Sequence, residues 1–168
     1  MKKFLVITVA LLFSLASCIQ NDGIQQYKTP FGFLIQCPVE YRIKNADSSM
    51  FRLYEDINNL DSPRFSIYPT ELIAEGISGT TKEKMIEIVE KSYSISEIGD
   101  FESTTANGVQ FVSIDVLIEG EDGIKVYLKQ AYFSVDGNIY LFLALTNGED
   151  LSSLDRFDSI LYSVRPGN

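Results

Sequence analysis

Two dipeptides, Asn107-Gly108 and Asp136-Gly137, constrain the fold of this chain more than any other feature. Both are residue pairs that a type I′ turn prefers. The sequence therefore predicts antiparallel strands joined in chain order, with a polar loop between the two hairpins. We expect the strands at residues 98–106, 109–119, 124–135 and 138–146.

The turn at Asp136-Gly137 also sets the register of the last hairpin. The predicted cross-strand pairs are Val135 with Asn138, Phe133 with Tyr140, Ala131 with Phe142, Tyr132 with Leu141, and Gln130 with Leu143. Apolar residues fall on both faces of this pair, whereas a sheet with one solvated face alternates apolar with polar residues. We therefore expect an α+β fold whose central antiparallel sheet, a four-strand meander, is covered by helices on both faces (an α/β/α sandwich).

Two segments have the helical spacing needed to cover such a sheet. Residues 80–93 begin with Thr80 and Glu83, the pattern of a capping box. The second segment follows the last strand, and Asp150 or Asn147 is its predicted cap. Its apolar residues, at steps of three and four, are Leu151, Leu154, Phe157 and Leu161. Shorter strands are expected before the first helix, at residues 31–37, 50–55 and 64–68.

The N-terminus has the layout of a secretory signal. Lys2 and Lys3 precede an apolar run that is shorter than the roughly 20 residues of a membrane-spanning helix. The run ends in Leu15-Ala16-Ser17-Cys18, which resembles the lipobox of bacterial lipoproteins. The resemblance implies cleavage between Ser17 and Cys18, a lipid on the Cys18 thiol, and acyl groups such as palmitate. The alternative is a plain secreted protein with a chance cysteine.

The predicted organisation is a signal peptide at 1–17, a lipidated Cys and tether at 18–29, and one domain at 30–168. We expect the protein on a bacterial membrane, held through the Cys18 lipid, with its domain outside the cytoplasm. Ile19 is not an acid, so no retention signal for the inner membrane follows the lipid. In a cell with two membranes this favours the periplasm-facing outer membrane.

Composition excludes several function classes. The 168 residues include no His, and 14 Lys plus Arg against 23 Asp plus Glu give a net charge of −9. His-dependent triads and His metal sites are therefore excluded, and an acidic chain does not suit nucleic acid. Cys37 has no disulfide partner once Cys18 carries lipid. Because Cys37 shares one strand face with Phe31, Phe33 and Ile35, we expect a buried residue rather than a reactive thiol.

A few charged residues on the sheet are candidate ligand contacts. Lys125, Tyr127 and Lys129 share one face of a strand, and Asp115 lies in the middle of the neighbouring strand. In one interpretation Lys125, Tyr127 and Lys129 meet an anionic ligand or a lipid headgroup, and Asp115 is an acid in a pocket. In the other, which we expect, Asp115 is paired with a lysine such as Lys125 or Lys129, and the strand end is solvated.

Two further groups of acids are predicted to be solvated. The loop with Glu119, Glu121 and Asp122 lacks the spacing of an EF-hand, so we expect a hairpin tip rather than a cation site. On the last helix, Asp155 and Asp158 are interpreted as part of the polar face. No metal or cofactor is expected.

The order of elements and several small motifs resemble one known family. The motifs are Phe31-Gly32-Phe33-Leu34-Ile35, Cys37-Pro38, Tyr41, Thr80-Thr81, Asn107-Gly108, Gly137-Asn138-Ile139-Tyr140, Phe157-Asp158-Ser159-Ile160 and Ser163-Val164-Arg165-Pro166. They resemble the PsbP-like family, which includes DcrB-type bacterial lipoproteins, over about residues 27–166. The resemblance implies an antiparallel sheet between helices and a non-enzymatic accessory or binding role, and it carries over no ligand residue.

The expected function is therefore that of a lipid-anchored accessory protein that binds another protein of the bacterial envelope. The alternative is a carrier that holds a small ligand or lipid in a cavity between sheet and helix. An enzyme is not expected, because it would have to be a carboxylate-based hydrolase with two acids about 5–10 Å apart in a cleft.

Overall fold

The computed structural model of the chain describes residues 23–59, 61–71, 73, 76–120, 123–147 and 152–167. These ranges hold nine strands, two α-helices and a short 3-10 turn at Ile77–Gly79. The strands are β1 (Ile24–Lys28), β2 (Leu34–Pro38), β3 (Arg42–Ala46), β4 (Phe51–Tyr54), β5 (Arg64–Pro69), β6 (Ile95–Ala106), β7 (Val109–Glu119), β8 (Lys125–Val135) and β9 (Asn138–Asn147). The helices are α1 (Lys82–Glu90) and α2 (Ser152–Leu161).

Seven of the strands form one antiparallel sheet in the order β3-β4-β5-β9-β8-β7-β6, and β1 pairs with β2 in a separate hairpin. Strands β6 to β9 are neighbours in chain order, and β9 then pairs with β5. The sheet is therefore wider than the four strands that the sequence predicts, because β3, β4 and β5 extend it beyond β9.

The two tight turns have the geometry that their residues predict. Asn107 and Asp136 have φ angles of 51° and 52°, and the glycines after them have 77° and 79°. These positive angles define the type I′ turn. The five predicted pairs across the last hairpin, from Val135–Asn138 to Gln130–Leu143, are all present. The predicted register is confirmed, since a two-residue turn leaves no spare residue for a slip.

Apolar side chains are buried on both faces of the sheet, because alternate strand residues point to opposite sides. On one face, Phe111 and Phe133 belong to a core cluster with Phe157 of α2. On the other face, Val112 belongs to a cluster with Met85 of α1. The hairpin β1–β2 packs on the first face beside α2. The sequence does not predict that a hairpin covers this face.

Two strands are missing from the sequence prediction. β1 falls in the segment 18–29 predicted as a tether, and that prediction is wrong for Ile24–Lys28. The Tyr27 ring packs edge-on against Phe51 with centroids 6.1 Å apart, while the residues on either side of it are exposed. β3 is exposed along most of its length. Neither strand has the apolar alternation that a sequence reveals.

Helix α1 is shorter than the predicted 80–93 and is capped one residue later than predicted. Thr81 is the N-cap, and its hydroxyl accepts a hydrogen bond from the Lys84 N–H at 3.3 Å. The Thr80 hydroxyl donates to the Gly76 carbonyl at 3.0 Å and is thus used by the preceding turn. The predicted capping box of Thr80 and Glu83 is therefore wrong.

The end of the domain closes onto its beginning through residues 163–165, which we call the closing segment. Leu34 and Arg165 exchange two backbone hydrogen bonds of 2.9 and 3.1 Å. The Ser163 hydroxyl accepts from the Gln36 N–H at 2.8 Å, and it lies 2.6 Å from the Ile160 carbonyl to which it donates. β2 is therefore held between β1 and the closing segment.

Candidate functional site

The predicted ligand face contains an internal ion cluster. Lys129 of β8 lies opposite Asp115 of β7, and its Nζ is 2.8 Å from Oδ1 and 3.0 Å from Oδ2 of that residue. The same Nζ is 2.8 Å from Oδ1 of Asp158 on α2. We call these three residues the lysine triad. Lys129 is 3% exposed, so its ammonium group is surrounded by the protein.

Two carboxyl groups, those of Asp115 and Asp158, contact one ammonium group in the lysine triad. Burial raises the pKa of Asp115, and the neighbouring Lys129 offsets that rise only in part. Burial alone would lower the pKa of Lys129, but the Asp115 and Asp158 carboxylates outweigh burial and raise it. Lys129 therefore keeps its proton at neutral pH.

The other two residues of the predicted face lie nearer the loop between β7 and β8. Lys125 is opposite Glu119 and exposed, and Tyr127 follows on the same face and is partly buried. All four residues share one face, but an ion pair joins only Asp115 and Lys129 among them. Asp115 is thus paired with a lysine, as the second interpretation expects. The expectation of a solvated strand end fits Lys125, which is exposed, and is wrong for Lys129, which is buried.

Asp158 is the residue of the cluster that the sequence prediction misses. Its interpretation as part of a polar helix face is wrong, because its carboxylate contacts Lys129. Asp155 is exposed, as expected. Asp158 lies four residues after Leu154 and three before Leu161, which places it on the apolar stripe of α2. A carboxylate among the apolar residues of a helix face is the feature of the sequence that could have indicated a buried cation opposite it.

Tyr162 adds a second polar contact between the end of α2 and the sheet. Its hydroxyl donates to Oε2 of Glu102 at 2.7 Å and lies 3.4 Å from the Ser113 hydroxyl. Its ring packs edge-on against Phe111, with centroids 5.3 Å apart. Burial raises the pKa of Tyr162 above its ordinary value. Because Ser113 and Asp115 share one face of β7, these contacts and the lysine triad both fix α2 to the sheet.

An open groove of about 320 Å³ lies between β2 and α2, and its walls are mainly apolar. We call it the β2–α2 groove. Residues lining it include Ile24, Cys37, Pro38, Arg156, Ser159 and Ile160. The Arg156 guanidinium donates to Oε1 of Glu55 at 2.8 Å, so its charge is already paired. The groove therefore suits an uncharged apolar group better than an anion.

Cys37 lines the groove but is 1% exposed, and its thiol is free. Burial raises the pKa of Cys37 to about 12, and the nearby Glu40 carboxylate adds to the rise. The thiol is therefore protonated at neutral pH and is a poor nucleophile. The prediction of a buried strand residue is confirmed.

Several predicted residues lie outside the part of the chain that the structure describes: Ser17, Cys18, Glu121, Asp122 and Asp150. Lipid attachment at Cys18 and the character of the acidic loop therefore stay predictions. In the described ranges, no three His, Cys, Asp or Glu side chains are grouped so that they can hold a metal ion. Neither described helix has the length and apolar character needed to cross a membrane.

Comparisons with known proteins give the fold. The sequence matches no family model and no curated protein. The cyanobacterial PsbP (CyanoP) of Synechocystis sp. PCC 6803 has a TM-score of 0.62 at 15% identity, covering 90% of this chain and 98% of that one. PA94 of Pseudomonas aeruginosa, a protein of unknown function and putative regulator, has a TM-score of 0.53 at 14% identity, covering 79% and 89%.

A third structure is less similar. LpqN of Mycobacterium tuberculosis, which is involved in cell envelope biogenesis, has a TM-score of 0.48 at 13% identity, covering 90% of this chain and 94% of that one. At such identities a likeness shows the fold alone, and the likeness to LpqN is too small to support an argument. The likeness to CyanoP supports a PsbP-like fold, as the sequence motifs imply.

Proposed function

We propose that this chain is a lipid-anchored accessory protein of the bacterial cell envelope, without catalytic activity and with its domain outside the cytoplasm. The observation that carries the proposal is the sequence Leu15-Ala16-Ser17-Cys18 directly after a short apolar run. A lipid on Cys18 would hold the domain at a membrane surface, and two or three acyl chains make such an anchor stable.

The start of the domain suits an anchor at that position. Gly23, five residues after Cys18, accepts a hydrogen bond from the Val39 N–H at 3.0 Å, and β1 begins at Ile24. Ile24 and Val39 are 47% and 42% exposed although both are apolar. The domain thus presents an apolar corner next to the residue from which the anchor segment would leave.

The ionisable side chains of the described residues support a structural role. Asp115, Lys129 and Asp158 contact one another between the sheet and α2, and none of them lines the β2–α2 groove. Cys37 lines the groove but is protonated. A carboxylate-based hydrolase needs two acids facing a substrate in a cleft. Asp115 and Asp158 instead face the buried Lys129 ammonium group.

The second candidate function is that of a carrier for a small ligand or lipid. The observation that favours it is the β2–α2 groove, whose volume of about 320 Å³ and mainly apolar walls are those of a small ligand site. The polar side chains at its edge, such as Ser159 and Arg156, would orient a ligand without burying a charge.

Intact mass of the protein from the membrane fraction tests the anchor. We expect a mass that lacks residues 1–17 and carries the added mass of a diacylglyceryl group and a further acyl chain. Cys18→Ser should abolish both changes, whereas Cys37→Ser, the matched control at the other cysteine, should keep them. A mature protein that starts elsewhere, or that carries no lipid, would overturn the proposal.

The accessory role is tested by mild solubilisation, chemical cross-linking and pull-down of the anchored protein. We expect a recurrent envelope protein partner that is lost after Cys18→Ser, since the unanchored domain no longer meets it at the membrane. Recovery of the anchored protein alone and monomeric would contradict the role. Separation of the membranes would test the outer-membrane location, which rests on the non-acidic Ile19.

A further inference from the structure

We infer that the β2–α2 groove holds one acyl chain of the protein's own Cys18 anchor. The inference rests on the proposed function, because it requires that Cys18 is lipidated.

The groove lies at the point where the chain enters the described domain. Ile24 is the first residue of β1, it pairs with Pro38 of β2, and both line the groove. The residue before it, Gly23, is hydrogen-bonded to Val39. The N-terminal end of the domain and one wall of the groove are therefore the same few residues.

The anchor is within reach of the groove. Gly23 is the fifth residue after Cys18, and an extended chain advances about 3.3–3.6 Å per residue, or roughly 17 Å in all. An acyl chain attached at Cys18 would add its own length to that span. The acyl chain would have to fold back on the domain to enter the groove.

An apolar surface leads from the anchor side into the groove. Ile24 and Val39 are exposed by 47% and 42%, and Ile24 also lines the groove, whose inner walls include Cys37 and Ile160. An exposed apolar side chain that also lines an apolar groove extends the surface on which an alkyl chain can be removed from water. An acyl chain lying along this path would cover both.

The capacity of the groove limits the occupant to one chain. At about 30 Å³ for a group the size of water, a volume of about 320 Å³ holds on the order of ten methylene groups. That is most of one acyl chain and far less than the two or three of a mature anchor. The other chains would remain in the bilayer, so the protein stays attached while one chain is held by the domain.

The charges around the groove agree with an alkyl occupant. Arg156, which lines it, is paired with Glu55 at 2.8 Å, so no additional anionic headgroup is required. Asp155 also lines the groove and is exposed to solvent, and its carboxylate would disfavour an anionic group there. The Ser163 hydroxyl is bonded to the backbone of Gln36 and Ile160. Arg156 and Ser163 therefore have hydrogen-bond partners without a ligand. The apolar part of the wall is the surface that an acyl chain would contact.

Photocross-linking in the full, lipidated protein tests the inference. Cells would be supplied with a fatty acid that carries a photoactivatable diazirine in its chain, and the membrane fraction would be irradiated. After digestion, we expect mass spectrometry to find the Cys18-bearing peptide cross-linked to peptides of β2 and α2. An equal mixture of protein with light and heavy nitrogen would give only all-light and all-heavy pairs if the chain is held by its own domain.

Filling the groove should remove these cross-links. Ser159 is exposed on α2 and lines the groove, so Ser159→Trp places a large ring there. We expect the cross-linking yield at β2 and α2 to fall about tenfold, because the ring occupies the space that the acyl chain would need and weakens its binding to the groove. Ser48→Trp, in the exposed turn between β3 and β4, is the matched control and should leave the yield unchanged. If Ser159→Trp does not fold, Ile24→Asn replaces it, because it makes the groove entrance polar at an exposed position.

The possible results separate the two proposals. If Cys18 carries lipid by mass but no cross-link reaches β2 or α2, the inference is wrong and the anchor stands. If groove peptides are cross-linked to free phospholipid instead of to the Cys18 peptide, the inference is also wrong, and the groove serves as a carrier site. If Cys18 carries no lipid, the proposed function itself fails and the inference fails with it.

Discussion

The Lys129 ammonium group lies 2.8 Å from Oδ1 of Asp158, which ties the middle of β8 to α2 through an ion pair that is almost closed to solvent on the lysine side. The Asp115 carboxylate contacts the same ammonium from β7. Removing one member of a buried ion pair leaves an uncompensated charge in the protein interior, which lowers the free energy of unfolding. Substitutions in the lysine triad should therefore destabilise the domain.

Lys129→Met should lower the free energy of unfolding by about 3 kcal/mol, the lower part of the range for breaking a buried pair. The lower part applies because the Asp158 side chain is 36% exposed and can be solvated when its partner is lost. Urea denaturation followed by circular dichroism measures the change.

Lys125→Met is the matched control for that substitution, on the same face of the same strand but exposed. It should change stability by less than about 0.5 kcal/mol. Replacing all three residues of the lysine triad with apolar side chains should restore most of the loss, since no unpaired charge then remains buried. Equal losses for Lys125→Met and Lys129→Met would show that the buried contact contributes nothing special.

Stability should fall as the pH rises above about 9. Burial raises the pKa of the Cys37 thiol to about 12 and also raises the pKa of the Tyr41 and Tyr132 hydroxyls. In this pH range the unfolded chain loses protons that the folded chain retains, so unfolding becomes more favourable. Lys129 acts in the same direction, because its raised pKa means that deprotonation removes an interaction present at neutral pH.

Urea denaturation at a series of pH values from 7 to 11.5 would measure this loss. Cys37→Val keeps an apolar side chain at a buried position and removes one of the titrating groups, so its stability should decline less steeply above pH 9. A wild-type stability that stays constant across the series would contradict the prediction.

Gly137→Ala should destabilise the last hairpin by about 1 kcal/mol, because a side chain at positive φ meets its own backbone. Gly137 has φ 79° in the type I′ turn after Asp136. Thermal unfolding would measure the change. Gly79→Ala is the control, since Gly79 is exposed and has no positive φ. It should be neutral or slightly stabilising, because alanine restricts the unfolded chain.

Ser163→Ala should lower the free energy of unfolding by about 1–3 kcal/mol, because the Gln36 N–H then loses its partner in a partly buried place. Ser159→Ala is the comparison, since that hydroxyl is exposed and donates only to the Asp155 carbonyl one turn back. Hydrogen exchange at Gln36 gives a local readout, which should speed up in Ser163→Ala and stay unchanged in Ser159→Ala. Equal exchange rates in both variants would argue against the role of Ser163.

The parts of the fold that the sequence predicts are those set by local chemistry. Asp136-Gly137 determines the turn, the turn determines the register, and the register determines which side chains share a face. The same logic finds α2 from its apolar spacing. It fails at β3, where a strand at the sheet edge is held by backbone pairing and needs no apolar residue.

The site is harder to predict, because its parts come from distant segments. Asp115 and Lys129 are opposite each other across one hairpin, so their pairing follows from strand alternation. Asp158 and the β2–α2 groove depend on how α2 is laid across the sheet, which no local pattern specifies. The contact between Lys129 and Asp158 spans a loop and a whole strand, and only the packed structure reveals it.

The closing segment has a consequence for how the chain matures during synthesis. The backbone of Leu34 pairs with that of Arg165, so β2 has one neighbour in β1 and no second neighbour until the chain has been made as far as Arg165. A chain emerges from the ribosome with its N-terminus first. The β1–β2 hairpin, which forms one wall of the groove, is therefore synthesised early but gains its backbone pairing with Arg165 late. A translation product that stops shortly before Arg165 would lack that pairing.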